Sequence, residues 1–263
     1  MARYIIRAHG VKTIIIFDLD GTLAESKQPI DTDMGELLTD LLDRLAVGVI
    51  SGGDWPQFEK QLVHRLPSGA DLSELFLLPT SGSKFLRFDR KWQEIYAEVL
   101  NDAERSDILL ALRLAIARLG LDKKKVWGNQ IEDRGSQITF SGLGQLAPLS
   151  AKRSWDPDLR KRQRLKATLE PLLTAFSIRI GGSTSIDITR RGIDKAYGLA
   201  KFGKAADIQA EEMVFVGDAL YAGGNDAPVR AAGIDTVAIR DVAETKTVIR
   251  TILACFPRFE DLP

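Results

Sequence analysis

Thr13-Ile14-Ile15-Ile16-Phe17-Asp18-Leu19-Asp20-Gly21-Thr22-Leu23 decides how this chain is read. Residues 13–17 are β-branched or aromatic and are soon followed by Gly and Thr. That pattern fits a short strand buried on both faces, the kind found in parallel sheets. Two carboxylates, Asp18 and Asp20, close the stretch. Ligands of open α/β sheets collect at the C-terminal ends of the strands, and strand alternation would turn both carboxylates to one side. Acidic groups this close repel unless a cation or a shared proton relieves them. A divalent metal, with one carboxylate attacking and the other shuttling a proton, accounts for the pair. The plainer alternative is a strand running into a loop that tolerates Asp and Gly.

The rest of the composition narrows the class. A chain of 263 residues, 44% of them hydrophobic, has room for one large domain or two small ones with a sizeable core. Lys and Arg number 36, as do Asp and Glu, so no global field favours nucleic acid or an acidic membrane, and neither is expected as a partner. Cys255 is the only cysteine, which excludes an internal disulfide and a thiolate cluster. The only histidines, His9 and His64, argue against a histidine metal centre. Met1–Lys12 lacks an apolar run of signal-peptide length. No run approaches the roughly 18 apolar residues of a membrane span, and a cytoplasmic protein is expected.

Along the chain, Asp31 caps a helix with Met34, Leu37, Leu38, Leu41, Leu42 and Leu45 at helical spacing. Ala46–Ile50 is a second strand, followed by Ser51-Gly52-Gly53-Asp54. A hydroxyl and two glycines between a strand and a helix suit phosphate or an oxyanion, because backbone N–H groups converge there; an ordinary turn is the alternative. Leu75–Leu78 is a third strand, Thr80–Ser83 a turn, and Lys84–Phe88 a returning strand. Trp92–Leu100 and Asp107–Leu119 read as helices, Asp122–Lys125 as a charged turn. Val126–Glu132 and Ser136–Ser141 read as antiparallel strands, Gly142–Lys152 as a loop. Asp156-Pro157 opens a basic helix carrying Arg160, Lys161, Arg162, Arg164 and Lys166 on a solvated face. Phe176–Ile180 and Ser185–Thr189 form a further strand pair. Residues 84–189 thus read as an α+β insertion. After it the α/β rhythm returns: a helix over Asp194–Phe202, a strand over Met213–Val216, a loop through Gly223-Gly224-Asn225-Asp226, a short helix over Val229–Ala232, a strand over Thr236–Ile239 and a helix over Glu244–Phe256.

Asp18 with Asp20, Ser51, Lys195, and Asp218 with Asn225 and Asp226 all fall at strand ends or a helix start of one core. Phosphoryl transfer through an aspartyl phosphate needs such a set. Asp18 attacks phosphorus. The Asp18 and Asp218 carboxylates would hold Mg²⁺, whose charge would offset the repulsion between the anionic nucleophile and the anionic phosphate. Ser51 and Lys195 bind phosphoryl oxygens. Asp20 protonates the leaving oxygen and then activates water or an acceptor hydroxyl, and Asn225 and Asp226 support the metal or Lys195.

Asp18-Leu-Asp-Gly-Thr22, Ser51, Lys195 and Gly217-Asp218 with Gly224-Asn-Asp226 resemble the four motifs of the haloacid dehalogenase superfamily. The resemblance covers nearly the whole chain. It implies a doubly wound, Rossmann-like parallel-sheet core over 1–83 and 190–263, and an α+β cap of the IIB type over 84–189. Sugar phosphatases and the eukaryotic-type phosphomannomutases share that cap. The loop from Gly217 to Asp226 resembles the phosphomannomutase version. Glu132-Asp-Arg134-Gly is similar to that family's sugar-phosphate-binding arginine strand, and Gly181-Gly182 with Ser185-Ile-Asp187 to its sugar-contacting strand.

The resemblance further implies Mg²⁺ held by Asp18, the Asp20 carbonyl, Asp218, Asn225 and Asp226, and substrate held by Gly52, Gly53, Arg134, Ser185 and Asp187. Lys152 and Arg153 stand near the place of a further family arginine. A small-molecule phosphate ester is the expected partner, and a homodimer through the cap is expected because such caps dimerise in relatives. Phosphomannomutases carry a second cap arginine eleven residues after the first, where this chain has Gln145. A mutase must clamp a bisphosphate in two orientations, and an amide weakens that clamp. A Mg²⁺-dependent sugar-phosphate phosphatase is the expected activity. Phosphomannomutase is the first alternative and a non-catalytic sugar-phosphate-binding protein the second.

Overall fold

The structure is a computed structural model that describes residues 11–121 and 125–256. His9, the rest of the first ten residues and Asp122–Lys124 of the expected charged turn lie outside the described residues.

In chain order the elements are β1 (Ile14–Asp18), α1 (Thr32–Leu42), β2 (Ala46–Ile50), α2 (Trp55–Gln61), β3 (Leu75–Leu78), β4 (Lys84–Asp89), β5 (Lys91–Ala97) and α3 (Asp102–Leu119). Then come β6 (Ile131–Asp133), β7 (Ile138–Ser141), α4 (Leu149–Trp155), α5 (Arg160–Leu169), β8 (Phe176–Gly181) and β9 (Ser185–Arg190). The chain closes with α6 (Lys195–Ala206), β10 (Met213–Gly217), α7 (Ala227–Ala231), β11 (Asp235–Ala238) and α8 (Val242–Cys255).

Every residue of β1 is buried, because the strand lies inside a seven-stranded sheet of order β11-β10-β1-β2-β3-β4-β5. Its alternation serves two layers. Ile15 and Phe17 pack with Leu37, Leu41, Phe58 and Ile249 of α1, α2 and α8. Ile14 and Ile16 pack with Leu199, Phe202 and Val229 of α6 and α7. Helices on both faces of a parallel sheet make the doubly wound core the sequence implied. From β1 the chain winds outward through β2 and β3, and it returns on the other side through β10 and β11. The crevice between β1 and β10 is therefore the topological switch point, where such sheets bind ligands. Asp31 caps α1 as expected, accepting from the Met34 N–H at 2.9 Å.

The helix expected over Trp92–Leu100 is instead β5, antiparallel to β4. Arg90, at φ +60°, closes the turn. Cross-strand aromatic pairs hold the hairpin: Phe88 with Trp92 and Phe85 with Tyr96, at centroid distances of 5.5 and 5.8 Å. This packing outweighs the local helical spacing. Because β4 also pairs with β3, residues 84–97 extend the large sheet, whereas a division at residue 84 assigns them to the insertion.

The insertion proper builds a second sheet of order β6-β7-β9-β8, antiparallel throughout. Ile138, Phe140, Ile178, Ile186 and Ile188 face α3 and α5 in one apolar cluster. The opposite face carries Thr139, Arg179, Ser185 and Asp187. Further corrections fall here. The strand expected over Val126–Glu132 is only β6, and the loop expected over Gly142–Lys152 runs into α4. The basic helix begins at Arg160, after Leu159 at φ +61°, not at Pro157. Its N-cap is Leu159 rather than the expected Asp156, which from three residues upstream still accepts from the backbone N–H of Lys161 and Arg162 at 2.9 and 3.2 Å. Arg162 is not on a solvated face. It is buried against Asp156 at 2.8 Å and donates to the carbonyls of Gly181 and Gly182. Among the described residues no helix is long and apolar enough to cross a membrane.

Candidate active site

Three parallel strands end at one crevice: β1 in Asp18, β2 in front of Ser51, and β10 in front of Asp218. The polar face of the small sheet roofs it. The cleft encloses about 700 Å³ and is lined from the core by Asp18, Asp20, Ser51 and Asp218, and from the roof by Arg134, Lys152 and Asp187.

Its floor is a buried charge cluster. Lys195, the first residue of α6, is 1% exposed, and its Nζ lies 2.6 Å from Asp18 Oδ1 and 2.5 Å from Asp226 Oδ1. Asp194 caps the helix by accepting from the Tyr197 N–H, which aims Lys195 at the strand ends. Asp226 uses its second oxygen to accept from the Ala219 N–H at 3.0 Å, so it holds both Lys195 and the loop after β10. Oxygens of Asp18, Asp218 and Asp226 lie within 4.8 Å of one another. One ammonium faces three carboxylates. Burial pushes the Asp18 carboxyl up to about 8, with Asp226 and Asp218 adding to the rise and Lys195 opposing it. Burial, then the Asp226 charge, raises Asp218 as well. The Asp18 and Asp226 charges hold Lys195 protonated against its burial. A site that retains protons for lack of positive charge, with hard oxygen ligands, fits a divalent cation. Gly21 serves that approach. At φ +94° it brings the turn after Asp18 so near Asp218 that a Cβ there would lie 2.4 Å from Oδ2.

Ser51 folds the phosphate-type loop onto itself. Its Oγ accepts from the Gly53 N–H at 3.0 Å, and the Gly53 carbonyl accepts from the Thr80 N–H. The Gly52 carbonyl is held from the roof by Arg134 Nη1 at 2.5 Å and Gln137 Nε2 at 2.9 Å. Gln137 also donates to Thr139 Oγ1, which donates to Asp187 Oδ1 at 2.7 Å. A polar relay thus runs from the core loop to the middle of the small sheet. Desolvation raises the Asp187 carboxyl above its ordinary range. Ser185 faces the same cleft and donates to the Gly181 carbonyl.

Not every expected residue converges. Asp20 lines the cleft beside the cluster without joining its ion pairs; its carboxylate accepts from Gln57 of α2 and from the Lys27 N–H, and its charge adds to the rise of Asp218. Lys152 enters the cleft nearly buried, its ammonium lowered by that burial. Arg153 does not line the cleft; it pairs at 3.7 Å with Glu25, an exposed residue of the cleft rim. Asn225 is exposed at the cleft mouth.

Several cleft residues carried no signal in the sequence. Lys27 sits in a loop that reads as merely polar, yet its Nζ donates to Gln145 Oε1 at 2.6 Å. Burial, with Arg134 and Lys152 nearby, lowers that ammonium to about 8. Thr139 and Arg179 are members of one strand face and Gln137 stands just before β7, a placement visible only once the four-stranded sheet is assembled.

Comparison with known proteins agrees with this geometry. The model of the eukaryotic phosphomannomutase family matches residues 34–254. The phosphomannomutase of Encephalitozoon cuniculi is 29% identical over 231 residues, which cover 83% of this chain and 84% of that protein. Among solved structures, a haloacid dehalogenase-like hydrolase from Bacteroides thetaiotaomicron superposes with a TM-score of 0.59 at 17% identity, over 92% of this chain and 99% of that one. An IMP-bound mutant of the Plasmodium falciparum IMP-nucleotidase superposes with a TM-score of 0.68 at 15% identity, over 93% and 69%. At these identities the structures attest the fold alone. The chain belongs to the eukaryotic phosphomannomutase family.

Proposed function

We propose that this protein hydrolyses a phosphorylated sugar through an aspartyl phosphate on Asp18, with Mg²⁺ as its cofactor. The observation that carries the reading is the buried triad of Asp18, Lys195 and Asp226 under a cleft that also holds Ser51 and Asp20. Asp18 attacks phosphorus as the bond to the leaving oxygen breaks, and Asp20 gives that oxygen its proton. Asp20 then takes a proton from water, whose oxygen displaces Asp18 and releases phosphate. Ser51 and Lys195 hold the phosphoryl oxygens throughout. When bound by Asp18, Asp218 and the Asp20 carbonyl, with Asp226 and Asn225 in support, Mg²⁺ supplies the positive charge this cluster lacks. Gly52 and Gly53 offer backbone to the phosphoryl group, while Arg134, Lys152, Ser185 and Asp187 orient the sugar, and the roof excludes bulk water. Arg153, exposed and paired with Glu25 at the rim, is assigned no direct contact. A homodimer through the cap belongs to the same reading, supported by Leu110 and Leu114, which α3 leaves exposed.

Phosphomannomutase is the second reading, favoured by the family and by the name of the relative above. Hydrolysis is preferred because Gln145, where the family resemblance expects an arginine, spends its carbonyl oxygen on Lys27. That couples two groups a bisphosphate clamp would use separately. One incubation tests this. The protein, Mg²⁺ and mannose 1-phosphate or glucose 1-phosphate are combined with and without a hexose 1,6-bisphosphate. Free phosphate without isomerisation is expected. Hexose 6-phosphate that forms only with the bisphosphate would make the protein a mutase.

The cation reading has its own test. Protons retained by Asp18 and Asp218 compete with a cation, so the affinity for Mg²⁺ should rise with pH. The melting-temperature gain from added Mg²⁺ should be larger at pH 8 than at pH 6. A gain that shrinks with pH would remove these carboxylates as ligands.

A further inference from the structure

Asp20 is the acid and base of the proposed reaction, and its carboxylate is held on one oxygen by its own loop and on the other by α2. Gln57 Nε2 donates to Asp20 Oδ2 at 2.7 Å, and the Lys27 N–H donates to Oδ1 at 2.5 Å. Gln61 Nε2 approaches Oδ1 at 3.5 Å but spends its better hydrogen bond on the Gln28 carbonyl. Gln57 and Gln61 are four residues apart on α2, so one helix face presents both amides. Gln57 also packs on the phosphate-type loop. A Cβ at Gly53 would lie 2.3 Å from Gln57 Oε1, so glycine there makes room for this amide. Gln57 lines the cleft. It thus touches both the loop beside the phosphoryl site and the group that must reach the leaving oxygen.

We infer that Gln57 is a positioning residue for Asp20. It orients the carboxyl so that the proton lies toward the leaving oxygen in the first step and so that the freed carboxylate faces the incoming water in the second. The inference rests on the proposed role of Asp20. It goes beyond that role by assigning α2, which carries none of the expected site residues, a part in proton transfer.

The test separates proton donation from a merely structural role of Gln57. A sugar or glycerol oxygen leaves only with a proton, whereas p-nitrophenolate leaves without one. The ratio of kcat/KM for an alkyl ester to kcat/KM for p-nitrophenyl phosphate therefore reports acid catalysis in the step that forms the phosphoenzyme. Both substrates are measured on one Mg²⁺-loaded preparation, so the ratio is independent of the folded fraction. Mannose 1-phosphate and glycerol 2-phosphate serve as alkyl esters. Gln57→Leu removes the amide, and Gln57→Glu keeps its length while removing its N–H donors.

Both variants should lower the alkyl-to-aryl ratio by roughly 10- to 100-fold, the lower range for losing a placed general acid. An unchanged ratio, whether both rates fall together or neither falls, would overturn the inference and leave the function standing. A wild-type protein that releases phosphate from none of these esters would overturn the functional reading and the inference with it. Turnover of the glycerol ester but not of the sugar would remove the sugar from that reading, while the ratio still decides the role of Gln57.

Discussion

Replacing Asp18 by Asn should abolish turnover, by on the order of 10⁴-fold or more, while the metal-free protein stays at least as stable as wild type at pH 8. The first half follows from chemistry, since an amide cannot form the acyl phosphate. The second follows from burial. Asp18 is 4% exposed, and desolvation, with Asp226 and Asp218, raises its carboxyl to about 8 despite the contact with Lys195. A carboxyl whose folded pKa lies above its unfolded value of about 3.9 contributes stability that is complete at low pH. That contribution is lost as pH rises toward 8. Asparagine does not ionise and escapes the loss. The checks are phosphate release at saturating substrate and melting of both metal-free proteins at pH 5.5 and pH 8. Surviving turnover in clean protein would end the role of Asp18 as nucleophile. A variant that melts well below wild type at pH 8 would mean that the ion pair with Lys195 outweighs the burial cost.

The core of that site was legible before any coordinates because its residues sit at element boundaries. Asp18 ends an apolar run, Ser51 follows another, and Asp194-Lys195 opens a helix, so sequence position translates directly into place at the sheet edge. The roof was less legible. Arg134, Ser185 and Asp187 were reached only through family resemblance, and Thr139 and Arg179 not at all. Their membership of one face depends on the register between strands far apart in sequence: Thr139 opposite Asp187, and Asp187 opposite Arg179. Local pattern carries no register of that kind. The failure at Trp92–Leu100 has the same origin. Trp92, Ile95 and Tyr96 repeat like a helix face, but Phe85, Phe88 and Trp55 lie ready to pair with these rings once the hairpin closes. Arg162 shows the converse error. A basic run reads as solvated, yet one of its members fills a buried place made by Asp156 and the carbonyls of Gly181 and Gly182.

Lys195→Met should cost more stability than any other single change in the cleft. Among the described residues its ammonium is the one cation in direct contact with both Asp18 and Asp226, and removing it leaves buried carboxylates facing one another. Breaking such a pair from one side costs about 3–5 kcal/mol, which for a chain of this size lowers the melting temperature by roughly 10 °C. Activity should fall by roughly 10²- to 10³-fold through loss of the charge that stabilises the phosphoryl oxygens. Two readouts distinguish this cause from simple loss of packing. Acid should narrow the deficit, because a proton retained on Asp18, whose carboxyl burial already raises, removes part of the repulsion that the variant exposes. Mg²⁺ should raise the melting temperature of the variant more than that of wild type, since it supplies charge to the same carboxylates. Adding Asp226→Asn to Lys195→Met should recover part of the lost stability, the coupling expected of groups in contact. A deficit that is constant from pH 5 to pH 8 and indifferent to both Mg²⁺ and the second substitution would instead mean that Lys195 stabilises the protein through the burial of its side chain, which is 1% exposed, and not through its charge.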